Sequence, residues 1–348
     1  MKMLTLRLRP LEPLLFRGAG EFDPSSRGVY SHAMSLHIPR PSTIAGALVA
    51  YFLHEALNVA DICVDVDSWE ELLKCYVYAL DKLGVEAIRG PYICNTRRDI
   101  VYVPLMLGGK AVLVEYYQVS NYLLSGDEDL ISSILDKPSY ERLLKLKHVE
   151  SELAQKYQLR LNEQWRVGIG LRDRLMEEST KTVRRGYIYT VVYSVYPRDV
   201  EVRFKVLIRD DSELTAGTRA PIIIGGEHRI AEMIIDSSRD EVDEALEKEK
   251  FKYALLLAPM PIRGKLSVRY IGRLSIIGLG FSAAKRKRKP IYSAILEGSI
   301  VRTTDSSNRQ ARRDDLLRHA LYHLLGFDSE EEYMVFGRLG YSSFVPLG

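Results

Sequence analysis

The amino-acid sequence predicts an α+β fold with two units of similar construction. Its 348 residues exceed one typical domain and fit two domains of roughly 150 to 200 residues each. Strand patterns alternate with helix patterns in both halves, and no stretch rich in proline, glycine and serine separates the halves as a flexible linker. We therefore expect two α+β units, residues 1–190 and 191–348, whose terminal strands are interleaved.

The first half opens with a strand, a loop and a helix. Residues 4–8 alternate between apolar and polar side chains, as in a strand with one buried face, and the prolines and glycines over 10–20 indicate a loop. Residues 44–57 are apolar on nearly every face, so this helix must be buried against a sheet. Ser42 or Thr43 is the expected cap at its start.

The chain between residues 68 and 161 predicts two helical regions and a hairpin. Ser68 and Glu71 have the spacing of a capping box. The expected elements are a helix over 68–83, a hairpin of strands over 100–107 and 111–118 around two glycines, and polar helix over 130–161.

The second half continues the same mixture of elements. The expected elements are strands over 186–195, 200–208 and 222–224, a short charged helix over 241–250 and a strand over 253–257. Two halves whose strands carry helices on one face are typical of ferredoxin-like (RRM-like) units. We therefore predict two such units with loop and helical insertions, the first containing a helical insertion and the second a basic, glycine-containing loop.

Several classes of protein are disfavoured by composition. No run approaches the roughly 18 consecutive apolar residues of a membrane span, and the first residues lack a secretory signal, so we expect no membrane partner and a cytoplasmic location. Cys63, Cys75 and Cys94 are scattered, which indicates neither a disulfide framework nor a zinc cluster. We expect all three to be reduced and structural.

The charge is small in total but unevenly distributed. The net charge is +3, yet residues 156–185 hold eight basic and four acidic residues, and residues 263–296 hold nine basic residues and no acidic one. The rest of the chain is therefore acidic. Two basic segments on an acidic body are typical of a protein that lays a polyanion along one surface. Solvated surface loops are the alternative interpretation.

The densest positive charge is the cluster Lys285, Arg286, Lys287, Arg288 and Lys289. Neutralising several phosphates would release condensed counterions and make binding steeply dependent on salt. Phosphate contacts do not specify sequence, so a stacking side chain such as Phe281 or Tyr292 would also be needed. A solvated basic loop that contacts nothing remains the alternative.

Three glycine pairs favour binding rather than catalysis. Gly18-x-Gly20, Gly168-x-Gly170 and Gly278-x-Gly280 each lie near arginine or lysine, although none completes a dinucleotide-binding motif. Small paired glycines let a backbone approach a phosphate or ribose closely. Structural turns explain any single pair equally well.

Signals for an enzyme are poor. The seven histidines lie in no hydrolase, metalloprotease, P-loop or deaminase motif. His319 and His323 have a spacing that could hold a metal, but no third ligand is evident, and ordinary helix surface is the favoured interpretation. We predict no catalytic residue, no metal and no cofactor.

Several motifs resemble one family, the CRISPR RAMP proteins. The resemblance is carried by EPLLFRG at 12–18 and SLHIPRPSTIAGAL at 35–48, then by RVGIGL at 166–171, TKTVRRGY at 180–187, GGEHR at 225–229, Lys289-Pro290 and a strand expected over 295–301 around Gly298-Ser299. The order of these motifs is similar to that of the third subunit of the type III-B (Cmr) effector complex, over essentially the whole chain.

This resemblance implies a non-catalytic subunit of an RNA-guided complex for antiviral defence against foreign RNA. It implies that the chain binds the 5′ tag of the guide RNA (crRNA), beside the large polymerase-like subunit and the backbone RAMP subunits. The RNA contacts expected from motif position and basic character are Arg17, Ser42, Thr43, Arg166, Arg172, Arg174, Lys181, Arg184, His228, Arg229, Lys285, Arg286, Lys287, Arg288 and Lys289.

Two other functions stay open at this point. The chain could be a RAMP endoribonuclease that processes guide RNA precursors, with His32 and His37 as the first candidates for general acid or base. It could also be a scaffold that positions the large subunit and contacts RNA little. Residues 236–249 are an acidic candidate for a protein-facing surface, with an exposed amphipathic helix as the alternative.

Overall fold

The fold is described from a computed structural model of the chain. It describes residues 2–16, 32–56, 69–124, 130–171, 183–248, 251–262, 268–279, 281–282, 287–288, 291–303, 320–325 and 331–347.

Helices and strands alternate along the first part of the chain. The elements in order are β1 (Lys2–Pro10), β2 (His32–Met34), α1 (Pro41–Ala56), α2 (Trp69–Lys82), β3 (Val85–Asn95), β4 (Ile100–Leu107), β5 (Lys110–Glu115), α3 (Tyr116–Leu124), α4 (Leu130–Asp136), α5 (Tyr140–Tyr157), β6 (Gln158–Leu159), β7 (Asn162–Leu171) and β8 (Val183–Val195).

The second part is richer in short strands. Its elements are β9 (Val200–Ile208), β10 (Arg219–Ile224), a 3-10 turn (Gly226–His228), β11 (Arg229–Asp236), α6 (Glu241–Leu246), β12 (Tyr253–Leu256), β13 (Met260–Ile262), β14 (Tyr270–Ile271), β15 (Leu274–Gly278), β16 (Phe281–Ser282), β17 (Lys287–Arg288), β18 (Ile291–Ile295), β19 (Ile300–Arg302), α7 (Leu321–Leu324), α8 (Glu331–Leu339) and β20 (Phe344–Leu347).

An eight-stranded sheet forms the centre of the molecule. Its strand order is β10-β11-β1-β9-β3-β4-β5-β6, and every pair is antiparallel. The sheet takes strands from both sides of residue 190, so the described strands do not divide into two sheets at the predicted boundary. That boundary stays a prediction, and the interleaving of strands across it is a feature of this sheet.

The described residues also form four smaller sheets. Their strand orders are β14-β19-β12-β20, β13-β18-β15, β16-β17 and β2-β8-β7. Gly298 joins two of the sheets, because its carbonyl accepts a hydrogen bond from the Met106 N–H of β4 at 2.9 Å. A Cβ at Gly298 would lie 2.7 Å from the backbone of Leu105 and Met106, so only glycine permits this approach.

The main hydrophobic core lies on one face of the central sheet. Leu4, Leu6 and Leu8 of β1 point into it and are at most 1% exposed, as their alternation predicted. Helix α1 packs there and buries Ile44 and Leu48. Each such side chain contributes about 1.5–3 kcal/mol when it leaves water. The prediction that this helix is buried against a sheet is confirmed for the face that carries Ile44 and Leu48, whereas Ala50 is exposed.

The opposite face of the same strands carries a buried network of charges. The Lys205 ammonium on β9 donates to Asp243 at 2.5 Å and to the Thr5 hydroxyl at 2.8 Å, and lies 3.4 Å from Asp240. Arg203 and the Tyr92 hydroxyl also donate to Asp240, at 3.1 and 2.7 Å. The lysine and both aspartates are at most 3% exposed at their side chains.

The same aspartates begin helix α6. The Asp240 side chain accepts from the Val242 N–H, and the Asp243 side chain accepts from the Asp240 N–H at 2.8 Å, which completes a capping box. The proposal of 236–249 as an acidic exposed surface therefore fails at Asp240 and Asp243, whose carboxylates are buried and paired. Glu244 of the same helix is exposed.

Several expected elements differ from the structure. The region over 130–161 is two helices and a short strand, because Pro138 separates α4 from α5. The hairpin strand expected to reach 118 ends at Glu115, where α3 begins. The strand expected over 295–301 is wrong, since β18 ends at Ile295 and β19 begins at Ile300, with Gly298 at a positive φ of 81° between them.

The cysteines also differ from expectation at one position. Cys94 is free and buried, whereas Cys75 is disulfide-bonded, so the prediction of three reduced cysteines is wrong. Cys63, like the capping residue Ser68, lies outside the described residues. Within the described part of the chain, no helix is long and apolar enough to cross a membrane.

Replacing Lys205 with alanine should destabilise the fold strongly. Two buried carboxylates would lose their lysine, and breaking a buried ion pair in this way costs about 3–5 kcal/mol of unfolding free energy. Urea denaturation of the variant measures the loss. Lys156→Ala is the matched control, because Lys156 forms an exposed i,i+4 pair with Glu152 and exposed ion pairs contribute little to stability. Equal losses in the two variants would contradict the account of the network.

Candidate nucleic-acid interface

Two motif segments that lie far apart in sequence meet at Glu12. Its carboxylate accepts from the Arg229 guanidinium and from the Ile230 N–H, each at 2.8 Å. The Gly226 N–H donates to the Leu15 carbonyl at 2.8 Å. The hydrogen bond from Arg229, followed by that from Ile230, lowers the pKa of Glu12 below its usual value. These hydrogen bonds join the EPLLFRG segment, which is described as far as Phe16, to the GGEHR segment.

Gly225 makes this close approach possible. Its φ is +75°, and a Cβ there would lie 2.5 Å from the Leu15 carbonyl oxygen. No side chain fits in that space without moving the backbone of Leu15, so glycine is required for both its conformation and its size.

Tyr193 of β8 brings a third motif segment, RVGIGL, into contact with these two. The Arg229 guanidinium lies 4.5 Å from the centre of the Tyr193 ring, and the Arg166 guanidinium of β7 lies 5.1 Å from it. Each cation–π contact contributes about 0.5–2 kcal/mol. The Tyr193 hydroxyl donates to Glu227 and accepts from Arg229. Tyr193 therefore connects the RVGIGL and GGEHR segments, and we call Glu12, Arg166, Tyr193, Glu227, His228 and Arg229 the tyrosine cluster.

The cluster divides into a fixed base and exposed groups. Arg229 is held by Glu12 and Glu227, so its positive charge is compensated inside the cluster. Arg166 is exposed and donates to the neutral amide oxygen of Gln164 at 3.0 Å, which leaves its charge facing solvent. His228 is also exposed. The arrangement presents a cation and an imidazole on a rigid support, which suits contact with a phosphate or a base edge.

The backbone around His228 is unusual. Glu227 and His228 have φ values of +59° and +53°, in the left-handed region that non-glycine residues seldom occupy. Such conformations cost of order 1–3 kcal/mol each and cluster at functional sites. The strain turns the Glu227 carboxylate toward Tyr193 and leaves His228 in solvent.

Ser42 and Thr43 lie elsewhere, in the first turn of α1. The helix begins at Pro41, so neither residue is its cap as expected, and proline at the first helical position explains the start. The Ser42 hydroxyl accepts from the Tyr341 hydroxyl at 3.1 Å. Ser42 therefore contacts the C-terminal part of the chain rather than the tyrosine cluster.

Two residues of the basic cluster over 285–289 are described. Lys287 and Arg288 form β17, which pairs with Phe281 and Ser282 in β16. This pair lies beyond the longer β15–β18 pair along the chain, so Lys287 and Arg288 lie toward the end of a β-hairpin arm formed by β15 to β18. The other predicted contacts lie outside the described residues: Arg17, Arg172, Arg174, Lys181, Lys285, Arg286 and Lys289, together with the side chain of Arg184, which is in β8.

Two predictions about the binding loops are wrong. Gly168 and Gly170 lie within strand β7, paired with β8, rather than in a phosphate-binding loop. Tyr292 is not a free stacking residue, because its ring packs against Phe336 at 5.2 Å and its hydroxyl donates to Glu332 at 2.8 Å. The side chain of Phe281 lies outside the described residues.

Sequence patterns had not singled out Glu12, Tyr193 or Glu227 as site residues. Tyr193 occurs in a predicted strand, where an aromatic residue is ordinary core. Its role depends on the register of β7 against β8, which places Tyr193 opposite Gln164 and diagonal to Arg166. Glu12 belongs to the EPLLFRG motif, and its position as the one acidic residue of that motif is the available signal.

The described side chains contain no cluster of three or more histidine, cysteine, aspartate or glutamate residues placed to hold a metal ion. His319 and the side chain of His323 are not among the described parts of the chain.

Gly225→Ala should separate the two motif segments at the cluster. The substitution adds a positive-φ penalty of about 1–3 kcal/mol and a collision with Leu15. Gly217→Ala is the matched control, since Gly217 has a φ of +98° but open space around the added Cβ. We expect faster hydrogen exchange at the Ile230 amide in the Gly225 variant alone. Identical exchange at Ile230 in both variants would contradict this account.

Comparison with known proteins points to one family. A family model described as CRISPR-associated protein (Cas_Cmr3) matches residues 6–112. The chain is 28% identical over 338 residues to the CRISPR system CMR subunit Cmr3 of Saccharolobus solfataricus, an alignment that covers 94% of this chain and 95% of that protein.

Solved structures of the type III-B Cmr-beta complex contain similar chains. In the complex bound to cognate target RNA, the similar chain is 27% identical with a TM-score of 0.66, covering 99% of this chain and 97% of that one. In state 1 of the complex bound to cognate target RNA and AMPPnP, the values are 26% and 0.64, with 97% and 94% covered. The resemblance indicated by the sequence motifs is confirmed: over nearly its whole length, this chain is similar to the Cmr3 subunits of type III-B CRISPR systems.

Proposed function

We propose that the chain is a non-catalytic subunit of a type III-B (Cmr) effector complex that binds the 5′ tag of the guide RNA. In this proposal it docks on the large polymerase-like subunit, neighbours the backbone RAMP subunits and works in the cytoplasm. Its role would be defence against foreign RNA. The similar chains come from Cmr-beta complexes bound to target RNA, which supports placing this chain in such an assembly.

The observation that carries the RNA part of the proposal is the tyrosine cluster. Three motif segments converge there, and they leave Arg166 and His228 exposed above a base of buried Tyr193 and compensated Arg229. A guanidinium binds phosphate oxygens in a bidentate manner and also stacks on bases. Arg229 then orients the site, while Arg166 and His228 contact RNA.

The arm supports the same proposal from a second position. Lys287 and Arg288 lie at its end, within the segment over 263–296 that has nine basic residues and no acidic one. Phosphates are the natural counterparts of such a charge density. Two basic positions on different sheets suit an extended single strand such as a guide tag better than a small anion.

We also propose that both units are ferredoxin-like, and the strand orders support this. The strands β11, β1, β9 and β3 are neighbours in this order in the central sheet, and along the chain they are the fourth, first, third and second strands. Helices α1 and α2 connect the first strand to the second. A unit built from these strands would extend to Asp236, past the boundary at residue 190 that the sequence predicts. The sheet β20-β12-β19-β14 has the same order, with α7 and α8 between the third strand and the fourth. This is the order of split βαβ units.

The absence of catalysis is part of the proposal, and the geometry of His37 supports it. The His37 Nδ1 lies 3.1 Å from the Ser194 hydroxyl, and the His37 carbonyl accepts from the Tyr196 hydroxyl. Burial lowers the pKa of His37. A half-buried imidazole hydrogen-bonded to a serine connects the SLHIPRPSTIAGAL segment to β8, which explains its presence without an endoribonuclease mechanism. The side chain of His32 lies outside the described residues.

Arg166→Ala should weaken binding of tagged guide RNA. Loss of one charge-assisted phosphate contact predicts about a tenfold lower affinity, equivalent to about 1.4 kcal/mol, and a salt dependence reduced by about one ion. Fluorescence anisotropy over a series of salt concentrations, with the isolated chain and with its reconstituted partners, measures both quantities. Wild-type chain should leave the RNA uncleaved in the same samples.

Arg219→Ala is the control, because Arg219 is also exposed but lies on β10, paired with Glu232. It should bind tagged RNA like the wild type. An Arg166 variant that binds as tightly as this control would contradict the RNA site, and cleavage of repeat RNA by the isolated wild-type chain would favour the processing nuclease instead.

A further inference from the structure

Strand β15 is an unprotected edge strand. Natural sheets protect their edges with charged residues, prolines or very short strands, because an open edge pairs readily with another chain. The other edge strands of the described sheets follow this rule. Arg219 and Pro221 protect β10, Glu163 and Arg166 protect β7, Pro261 lies in β13, Pro346 lies in β20, and β2, β6, β14, β16 and β17 have two or three residues each.

By contrast, the sequence of β15 is LSIIG, and none of these five residues is charged or a proline. It is the last strand in the order β13-β18-β15. The Leu296 N–H donates to the Arg273 carbonyl, and hydrogen bonds alternate along an antiparallel pair. The N–H groups of Leu274 and Ile276 therefore point away from β18, toward the open edge.

Three aliphatic side chains on one face of the same sheet are exposed. Leu274, Ile276 and Ile291 are 53%, 63% and 69% exposed, and the register places Ile291 opposite Gly278. The inner face is different, since Ile277 and Ala294 are buried in the main core. The arm thus has one face that the chain itself buries. Among the described residues, its other face is open at Leu274, Ile276 and Ile291, although Ile295, opposite Leu274 on that face, is buried.

We propose that the edge of β15 and the aliphatic face of Leu274, Ile276 and Ile291 are a docking surface for an extended segment of a partner protein in the assembly. The partner segment would add as a strand to β15 and carry aliphatic side chains flanked by carboxylates. Strand addition takes its affinity from backbone hydrogen bonds and its specificity from alternate side chains. This inference rests on the proposed function, because it assigns a surface for a subunit contact.

The positive charge around β15 indicates what kind of partner segment would bind there. Residues 263–296 contain nine basic residues and no acidic one, and Arg273, beside Leu274, is exposed and donates to the neutral carbonyl of Gly109. Carboxylates around an apolar centre complement such a surface. RNA is a poorer occupant of the aliphatic face, because bases stack on aromatic rings and guanidinium planes rather than on leucine and isoleucine. The face and the arm's basic end would then serve protein and RNA separately.

The test uses the full chain in a complex reconstituted from purified Cmr subunits and guide RNA. Ile276→Asp places a charge on the face and should weaken incorporation of the chain at least tenfold, measured by titration and size-exclusion chromatography. Ile223→Asp is the matched control, since Ile223 is 59% exposed on the protected edge strand β10. The control should assemble like the wild type, and both variants should bind tagged RNA unchanged as isolated chains.

Hydrogen exchange of the wild-type chain gives a second measurement that needs no substitution. The amides of Leu274 and Ile276 should exchange at least tenfold more slowly in the complex than in the free chain. Unchanged exchange at these amides, or normal assembly of the Ile276 variant, would overturn the inference while leaving the proposed function intact. Self-association of the free chain that is lost in this variant would overturn it in favour of a second copy. Failure of the wild-type chain to assemble would count against the proposed function itself.

Discussion

The charge of Lys205 is buried in the central sheet, and the carboxylates of Asp240 and Asp243 hold it there. Burying a charge without a partner costs several kcal/mol of folding free energy. The central sheet and the start of α6 must therefore form together. Helix α6 contacts β20 and leads toward β12, and these two strands pair with each other in the four-stranded sheet. This ion network therefore ties the central sheet to the segment that leads into the four-stranded sheet.

The candidate site depends on the same principle at the protein surface. Glu12 compensates Arg229, and Arg229 supports the ring of Tyr193, over which Arg166 is placed. The pKa of Glu12 is lowered mainly by Arg229, so its contribution to stability is present above the ordinary carboxyl pKa and is lost as pH falls through the lowered value. A single acidic residue thus fixes Arg229 by an ion pair, and Arg229 in turn supports the ring over which the exposed Arg166 lies.

Sequence patterns predicted local elements well where one physical rule dominated. The strand over 200–208 and the helix after Pro41 follow from apolar patterning and proline position. Strand β3 was missed because Gly90 and Pro91 in its middle indicate a turn, although the structure accommodates them in a bulge against β9. The tyrosine cluster could not be predicted from the sequence. Tyr193 and Arg166 are brought together by the register of two strands, and Glu12 and Arg229 are 217 positions apart in the chain.

The central claim is that RNA lies on the tyrosine cluster and on the end of the arm. Photo-crosslinking of guide RNA with 4-thiouridine in its 5′ tag, followed by mass spectrometry of the reconstituted complex, tests it most directly. The account predicts crosslinked peptides that contain Arg166, His228 or residues 285–289. Tag crosslinks confined to helices α3, α4 and α5, or to other subunits alone, would contradict it.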